Sequence, residues 1–435
     1  MPPRQPSKYA RFTLLTALAC GALACAEPGS TDSGGAGGSG TGGASSSGGA
    51  TGSGGATGEG GVTGSGGTVG SGGATGPGGA TGTGGATGTG GTTGTGGATG
   101  TGGTTGTGGT TGTGGTTGTG GSSGNSNPSG LPLPPGAGGM PKPSGTPSTI
   151  TVLNWAGFKG AVSYTLDDDN DSQIANYSML EAQGIPYTFY MWGNRTEASN
   201  AVWTQAVKDG HEIGNHTWSH SSTPPGGAAD ITQDTTFIMQ KYSVTPYTMA
   251  APNGASVYTG LANGLFMINR GVADALIKPN DGTDRFTLPC YIPPTGAPAS
   301  DFNSEVDSAQ SGGAWRVILV HGFTGGGDGA YQPVNLSDYL SGIQHAKSLG
   351  NMWIGKVVDV GAYWLGQKAF SSATTTTSGS NKTWTWTKPS NFPPGKYLRV
   401  TVAGGTLTQS GQALPWNGNG FYEIALDAGS VTLGP

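Results

Sequence analysis

From Ile150 onward the apolar positions fall into short runs separated by segments of helical length. The run Ala161–Leu166, apolar except for Ser163 and Thr165, ends in Asp167-Asp168-Asp169, which predicts a strand. Ile185–Trp192 predicts the next strand, and Gln173–Gln183 between them has the length of a helix. Further strands are predicted at Tyr247–Ala251, Gly271–Ile277, Arg316–Val320 and Trp353–Val360, with a helix over Leu336–Leu349. Strands alternating with helices predict parallel βα units, an α/β fold. The aspartates and His321 fall at strand C-termini, where such folds carry their sites. Past Ser371 the pattern changes. Thr383–Thr387, Tyr397–Val402 and Phe421–Leu426 are strand-like, with Gly, Pro and Asn between them, and predict a small antiparallel β module over 371–435. Its Trp384, Trp386 and Trp416 are either core aromatics, the commoner role of such residues in strands, or an aromatic ligand-binding surface.

Before residue 147 neither periodicity is present. From Gly60 to Pro141 there is no charged residue, and Gly-Gly-Ala/Thr-Thr-Gly-Thr recurs with a period of six. Such a segment has almost no large apolar side chains, so nothing offsets the entropy of ordering it. Residues 25–146 are therefore expected to form a disordered Gly-rich linker, stiffened near its end by the prolines from Pro128 to Pro147. A solenoid would need a large apolar residue in every unit, and these units have none.

The first residues add a second expectation. Arg4, Lys8 and Arg11 precede the apolar run Phe12–Ala24, which ends in small residues as an export signal does. That run is too short to span a bilayer. It closes with Ala22-Leu23-Ala24-Cys25, similar to a bacterial lipobox, so residues 1–24 read as a signal peptide and Cys25 as the lipidated residue. Cys20 follows a similar Ala17-Leu18-Ala19 but leaves a shorter apolar core, and plain cleavage after Ala24 would release a free extracellular protein. The expected place is the bacterial envelope, with the membrane as a partner through the lipid. Of the three cysteines only Cys290 would then remain free, so no intramolecular disulfide is available. Loss of the three basic residues takes the net charge from −5 to −8, which argues against nucleic acid as a partner. A monomer is expected.

Three of the five histidines lie between His211 and His220. His216 and His220 are four residues apart, so on a helical turn their imidazoles face the same way and can share one cation. A carboxylate from another element would complete a His₂Asp set with a position open for water.

At these residues the chain resembles the polysaccharide deacetylase family, the NodB-homology domain of carbohydrate esterase family four. The family's Thr-Phe-Asp-Asp-Gly motif is similar to Thr165-Leu166-Asp167-Asp168-Asp169, and His-Ser/Thr-x-x-His is matched in full by His216-Thr217-Trp218-Ser219-His220. Leu319-Val320-His321 approximates the later Leu-x-His. The resemblance covers about Ile150 to Phe370 and gives a catalytic domain over 147–370. It implies a distorted, incomplete (β/α) barrel. It also implies a divalent metal on Asp168, His216 and His220, with Asp167 as base and His321 as acid. Zinc suits those donors, and cobalt and nickel fit the same set. The implied substrate is an acetylated polysaccharide such as chitin, peptidoglycan glycan or acetylxylan, with N- or O-acetyl groups equally compatible.

The departures from the pattern are specific. The family's Arg-x-Pro-x-Gly reads Ala250-Ala251-Pro252-Asn253-Gly254, with no arginine to hold Asp167, although Asn253 still offers an N–H for an oxyanion. No Asp-x-x-Asp-Trp is recognisable between Gly254 and Trp315, which leaves His321 without an assigned carboxylate. Asp169 stands where the family has Gly. Trp192 and Trp218 are placed to stack on sugar faces or to fill the core. His211 reads as structural and His345 as a surface residue. Two functions follow: a metal-dependent deacetylase tethered to the envelope, or, because the arginine is missing, a catalytically degenerate glycan-binding protein displayed on a stalk.

Overall fold

The computed structural model describes residues 127–136 and 138–435. The export signal, Cys25 and the Gly-rich repeats up to residue 126 lie outside the described residues. Six strands form a parallel sheet in the order Ile268–Arg270, Thr248–Ala250, Glu212–Asn215, Thr188–Met191, Gly160–Asp167 and Trp315–Val320, and Met352–Ile354 pairs with the first half of Gly160–Asp167. Alternation sorts the side chains of the longest strand. Val162, Tyr164 and Leu166 pack into the layer beneath the helices, together with Phe189, Ile213, Ile318 and Val320. Ser163, Thr165 and Asp167 fall on the other face, inside the barrel.

The two outer strands of the sheet do not pair directly. Irregular chain joins them: Leu288 N–H donates to Asn269 and Gly271 N–H to Leu288, while Tyr291 N–H donates to Val317 and Leu319 N–H to Tyr291. This is the distorted, incomplete (β/α) barrel expected from the sequence.

Three expected elements differ. Gly271–Ile277 forms no strand; the strand is Ile268–Arg270, and within 271–277 only Ile277 bridges to a sheet strand, antiparallel to Trp315. The residues Val272–Ala275 are exposed, so they have no face to bury. Trp353–Val360 divides into the strand Met352–Ile354 and the start of the helix Val357–Ser371. That helix is buried nearly all round and its first residues are apolar except Asp359, so its start shows no periodicity to distinguish it from a buried strand. Gln173–Gln183 is two short helices, Asp171–Ala175 and Tyr177–Glu181, broken at Asn176.

The C-terminal module is antiparallel and has two sheets, Ile150–Val152 with Tyr397–Val402 and Tyr422–Ala425, and a five-stranded sheet that includes Asn381–Thr385 and Ser430–Gly434. Its Leu398, Val400, Leu407, Ile424, Leu426 and Val431 share one core with Val357, Val360 and Trp364 of the buried helix. Gly366 of that helix lets the module pack closely, since a Cβ there would come 2.6 Å from a Leu426 methyl, which would have to shift. The tryptophans follow the core reading. Trp386 is buried and donates to Leu426 O, and Trp416 donates to Met140 O and meets Tyr422 edge to face; Trp384 is half-buried under Lys382.

The linker expectation reached residue 146, but the described chain from Asn127 is already part of this module. Arg399, fully buried, donates Nε to Glu423, Nη1 to Pro132 O and Nη2 to Leu131 O, and Glu423 accepts from Ser129. Further on, Met140 N–H donates to Gly418 O and Lys142 Nζ to Thr406. A buried ion pair needs its remaining donors satisfied, and here the backbone of 131–132 satisfies them. Composition could not reveal this, because the partners lie more than 260 residues away.

Candidate active site

Strand register assembles the site. Asp167 pairs with Tyr190 and Tyr190 with Gly214, so His216, just past Asn215, comes to the same end of the sheet as Asp167. Leu166 pairs with Val320, which sets His321 beside the aspartates. Past Asp167 the chain turns through left-handed φ values at Asp168 (74°) and Asp169 (46°), a conformation that Asp tolerates better than most residues. The turn changes where the carboxylates point. Neighbours on a regular strand would face opposite ways. Here Asp167 Oδ2 lies 3.5 Å and Asp168 Oδ1 3.3 Å from the same His216 Nε2.

His220 reaches the site by a different route from the helical turn its spacing suggested. Thr217 and His220 both have positive φ, at 66° and 49°. Asn215 Oδ1 accepts from Thr217 N–H, Thr217 Oγ1 accepts from His220 N–H, and Asp230 accepts from the Ser219 N–H and hydroxyl. These bonds fold 216–220 into a tight loop that brings His220 Nε2 within 3.3 Å of Asp168 Oδ1. The rings of His216 and His220 meet edge to face at 4.7 Å.

His216 Nδ1 lies 2.9 Å from the carbonyl of Ala250. A carbonyl only accepts, so Nδ1 carries the proton and Nε2 is turned toward the carboxylates, as a metal-ligating imidazole requires. Burial alone would lower the His216 pKa, but Asp167 and Asp168 outweigh it and raise it. Burial alone would raise Asp168; the imidazoles of His216, His321 and His220 around it hold it well below the carboxylate range. Burial and the charge of His216 bring His220 down to about 4. One ligand atom each from Asp168, His216 and His220 lies within 4.8 Å of the others, and the buried Oδ1 of Asp168 has no hydrogen-bond donor. An orphaned anionic oxygen between two imidazoles fits a divalent cation, with a position left for water or substrate.

Asp167 is held by Arg270. The Arg270 Nη2 group donates to Asp167 Oδ2, and both side chains are almost fully buried. The other carboxylate oxygen, Oδ1, is buried without a partner. Arg270 ends the strand Ile268–Arg270, in register with Ala250 on the next strand. The arginine absent at Ala250 thus has a counterpart one strand over. Nη1 of Arg270 donates to Gly271 O at 3.0 Å and lies 3.6 Å from Cys290 Sγ, and the guanidinium sits over the Tyr190 ring. That ring fits only because residue 214 is glycine; a Cβ there would collide with it. The sequence carried a signal for Arg270: Asn269-Arg270 is a polar pair closing the apolar run Leu265–Ile268.

His321 is mostly buried, which lowers its pKa against the opposing pull of Asp167 and Asp168. Its backbone carbonyl accepts from Asn170 and Gln173, and its Nδ1 has no partner. Asp169 turns inward, accepts from Trp192 N–H, and is pushed up to about 7 by burial despite that bond and Arg195 nearby.

The two tryptophans pack against neighbouring rings, one of the two readings the sequence left open. Trp192 stacks on His220 at 4.6 Å and 28°, so that face supports a ligand-bearing ring instead of meeting a sugar. Trp218 packs edge to face on Phe237 of the helix Ala228–Tyr242. Asn253 is exposed in the turn Pro252–Gly254 that follows the strand Thr248–Ala250. His211 is buried, accepts from Tyr187 N–H and pairs with Glu181; His345 pairs with Asp307 at the surface.

Residues 157–262 match the family model described as polysaccharide deacetylase. No curated protein matches the chain. Among solved structures, it is similar to a putative polysaccharide deacetylase from Mycobacterium smegmatis, with 17% identity and a TM-score of 0.37 over 52% of this chain and 95% of that one. It is also similar to a family 4 acetyl xylan esterase from Clostridium thermocellum in complex with a cobalt ion (19%, TM-score 0.31, 46% and 89%). A third is the peptidoglycan deacetylase PdaC from Bacillus subtilis (17%, TM-score 0.28, 46% and 89%).

Proposed function

The chain belongs, through residues 157–262, to the polysaccharide deacetylase family, and from that premise we propose that it is a metal-dependent hydrolase of N- or O-acetyl groups on a polysaccharide of the chitin, peptidoglycan-glycan or acetylxylan type. The observation that carries this reading is the pair of roles at one strand end. Three ligand atoms converge within 4.8 Å, and beside them Asp167 is anchored through one oxygen while its other oxygen is free. Asp168, His216 and His220 would hold the ion; zinc suits these donors, and cobalt or nickel fits the same set. When bound, the ion polarises the acetyl carbonyl and acidifies a water.

The rest of the chemistry belongs to the chain. Asp167 accepts the water's proton on Oδ1 while Arg270 keeps Oδ2 in place. His321 gives a proton to the departing amine or alkoxide, and the burial that lowers its pKa makes that proton easier to release. The Asn253 N–H, on the loop past the strand Thr248–Ala250, is the donor assigned to the developing oxyanion.

The glycan-binding alternative rested on the missing arginine at Ala250. Arg270 removes that motive, and a protein that only binds sugar has no use for an anchored base beside three ligands. The test is acetate release from a panel of acetylated chitin, peptidoglycan and xylan oligosaccharides. Release that a chelator abolishes and added zinc restores is expected. Binding of those sugars by the metal-loaded chain, with acetate released from none of them, would favour the binding protein.

From the apolar run Phe12–Ala24 and its Ala22-Leu23-Ala24-Cys25 ending we further propose that the enzyme sits at the bacterial envelope, lipid-anchored through Cys25. Cys25→Ser is expected to move it from the membrane to the soluble exported fraction, because the acyl chains supply most of the membrane affinity. Unchanged fractionation would count against lipid at Cys25.

A further inference from the structure

Trp192 has one face against His220 and Trp218 meets Phe237 edge to face, so neither is a fully open platform for a sugar ring. One aromatic side chain beside the site is open. Tyr331 is 61% exposed and is the only aromatic among the exposed large hydrophobic residues described. Its ring centroid lies 5.3 Å from that of His321, with the planes at 87°. Exposing a tyrosine ring to water gains nothing for folding, and a flat apolar face with a polar hydroxyl tip at the edge of a reacting centre suits the face of a sugar ring.

The loop that carries it is fixed, which separates a platform from a loose surface residue. Phe323 and Val334 close its base as a parallel bridge, with Thr324 N–H donating to Val334 O at 2.9 Å. Its glycine-rich tip is tied down by Ser172, whose N–H donates to Asp328 at 2.7 Å and whose hydroxyl accepts from Phe323 N–H at 3.0 Å. Two glycines permit this contact: a Cβ at Gly322 would come 2.7 Å from Ser172 Oγ, and one at Gly326 2.5 Å from Ser172 Cβ. Ser172 lies in the short helix that follows the three aspartates, so the loop is referenced to the same segment as the base and the ligand. A preorganised ring loses little entropy on binding.

We propose that Tyr331 is the aromatic platform that binds a sugar ring of the substrate next to the scissile acetyl group, and so helps set which polysaccharides are accepted. This rests on the deacetylase reading for the reaction and on Tyr331 itself for the binding. The test uses full-length protein and two probes, the N-acetylglucosamine hexamer and acetylated xylohexaose. Steady-state acetate release is measured for the wild type, Tyr331→Ala, Tyr331→Phe and Tyr331→Trp. Direct binding is titrated with the same four residues at 331 in an Asp167→Asn background. Tyr331→Ala is expected to raise KM and Kd by about tenfold, near the upper end of one aromatic stacking contact, with the change in kcat within about threefold. Phe and Trp, which keep a ring, are expected to stay close to the wild type. Acetate release with KM and Kd unmoved by Tyr331→Ala would overturn the platform and leave the deacetylase intact. A fall in kcat at constant KM would overturn it too, and would assign Tyr331 to positioning His321. If no acetate is released but Tyr331→Ala still weakens binding, the platform stands and the deacetylase reading falls.

Discussion

Asp167→Asn is expected to leave metal content at the wild-type level and to lower turnover by roughly 10²–10⁴-fold, the usual worth of a positioned general base. Added metal should not restore it. Asp168→Asn, the same chemical change one residue later, is expected to lose the ion, with metal affinity reduced by about tenfold or more, and to regain activity partly in excess zinc. The two carboxylates approach the same His216 nitrogen at 3.5 and 3.3 Å, so proximity alone does not separate their roles. Their other partners do. Asp167 has one oxygen committed to Arg270, whereas Asp168 faces both His216 and His220. A carboxylate already neutralised by a guanidinium is a poor ligand for a second cation, and one between two imidazoles is a good one. Elemental analysis together with acetate release decides the matter. Metal loss in Asp167→Asn, or an Asp168→Asn that keeps both metal and full activity, would reverse the assignment.

How far the sequence could be read depends on the distance over which each feature is determined. Strand ends that carry chemistry were legible, because the short apolar-rich runs that end at Asp167 and His321 are local features of the sequence. The His216–His220 spacing was legible as a shared site, yet its conformation was not. The chain reaches it through two left-handed residues held by Asn215, Thr217 and Asp230, a set of side-chain bonds that no periodicity reports. The choice between sugar-stacking and core-packing roles for Trp192 and Trp218 stayed open for a similar reason. Whether a tryptophan faces solvent or a neighbouring ring depends on what folds against it, and His220 and Phe237 come from later in the chain. The packing of 127–146 was the least visible, since a segment of Pro, Gly and Ser shows no apolar face, and what orders it is a buried ion pair in the C-terminal module.

Arg270 tests whether a charge lost from one strand is supplied by the next. Arg270→Met is expected to lower kcat by at least about 10²-fold, because an unanchored Asp167 no longer holds its free oxygen where the water must be. It is also expected to destabilise the domain by about 3–5 kcal/mol, since it strands a buried carboxylate without its partner. Arg270→Lys keeps the charge but not the fork that reaches Asp167 with one nitrogen and Gly271 with another, so a partial recovery of activity is expected. Stability and catalysis separate in the double variant. Removing both charges with Asp167→Asn and Arg270→Met should regain much of the stability lost in Arg270→Met alone, because no uncompensated charge is left in the barrel, while activity stays at the level of Asp167→Asn. Thermal unfolding read alongside acetate release measures both. An Arg270→Met that unfolds at the wild-type temperature and turns over at the wild-type rate would mean that Asp167 is held by something else, and the motive for the glycan-binding reading would return. A double variant as unstable as Arg270→Met would instead show that the guanidinium contributes mainly through its packing on Tyr190 and Cys290 rather than through the carboxylate it faces.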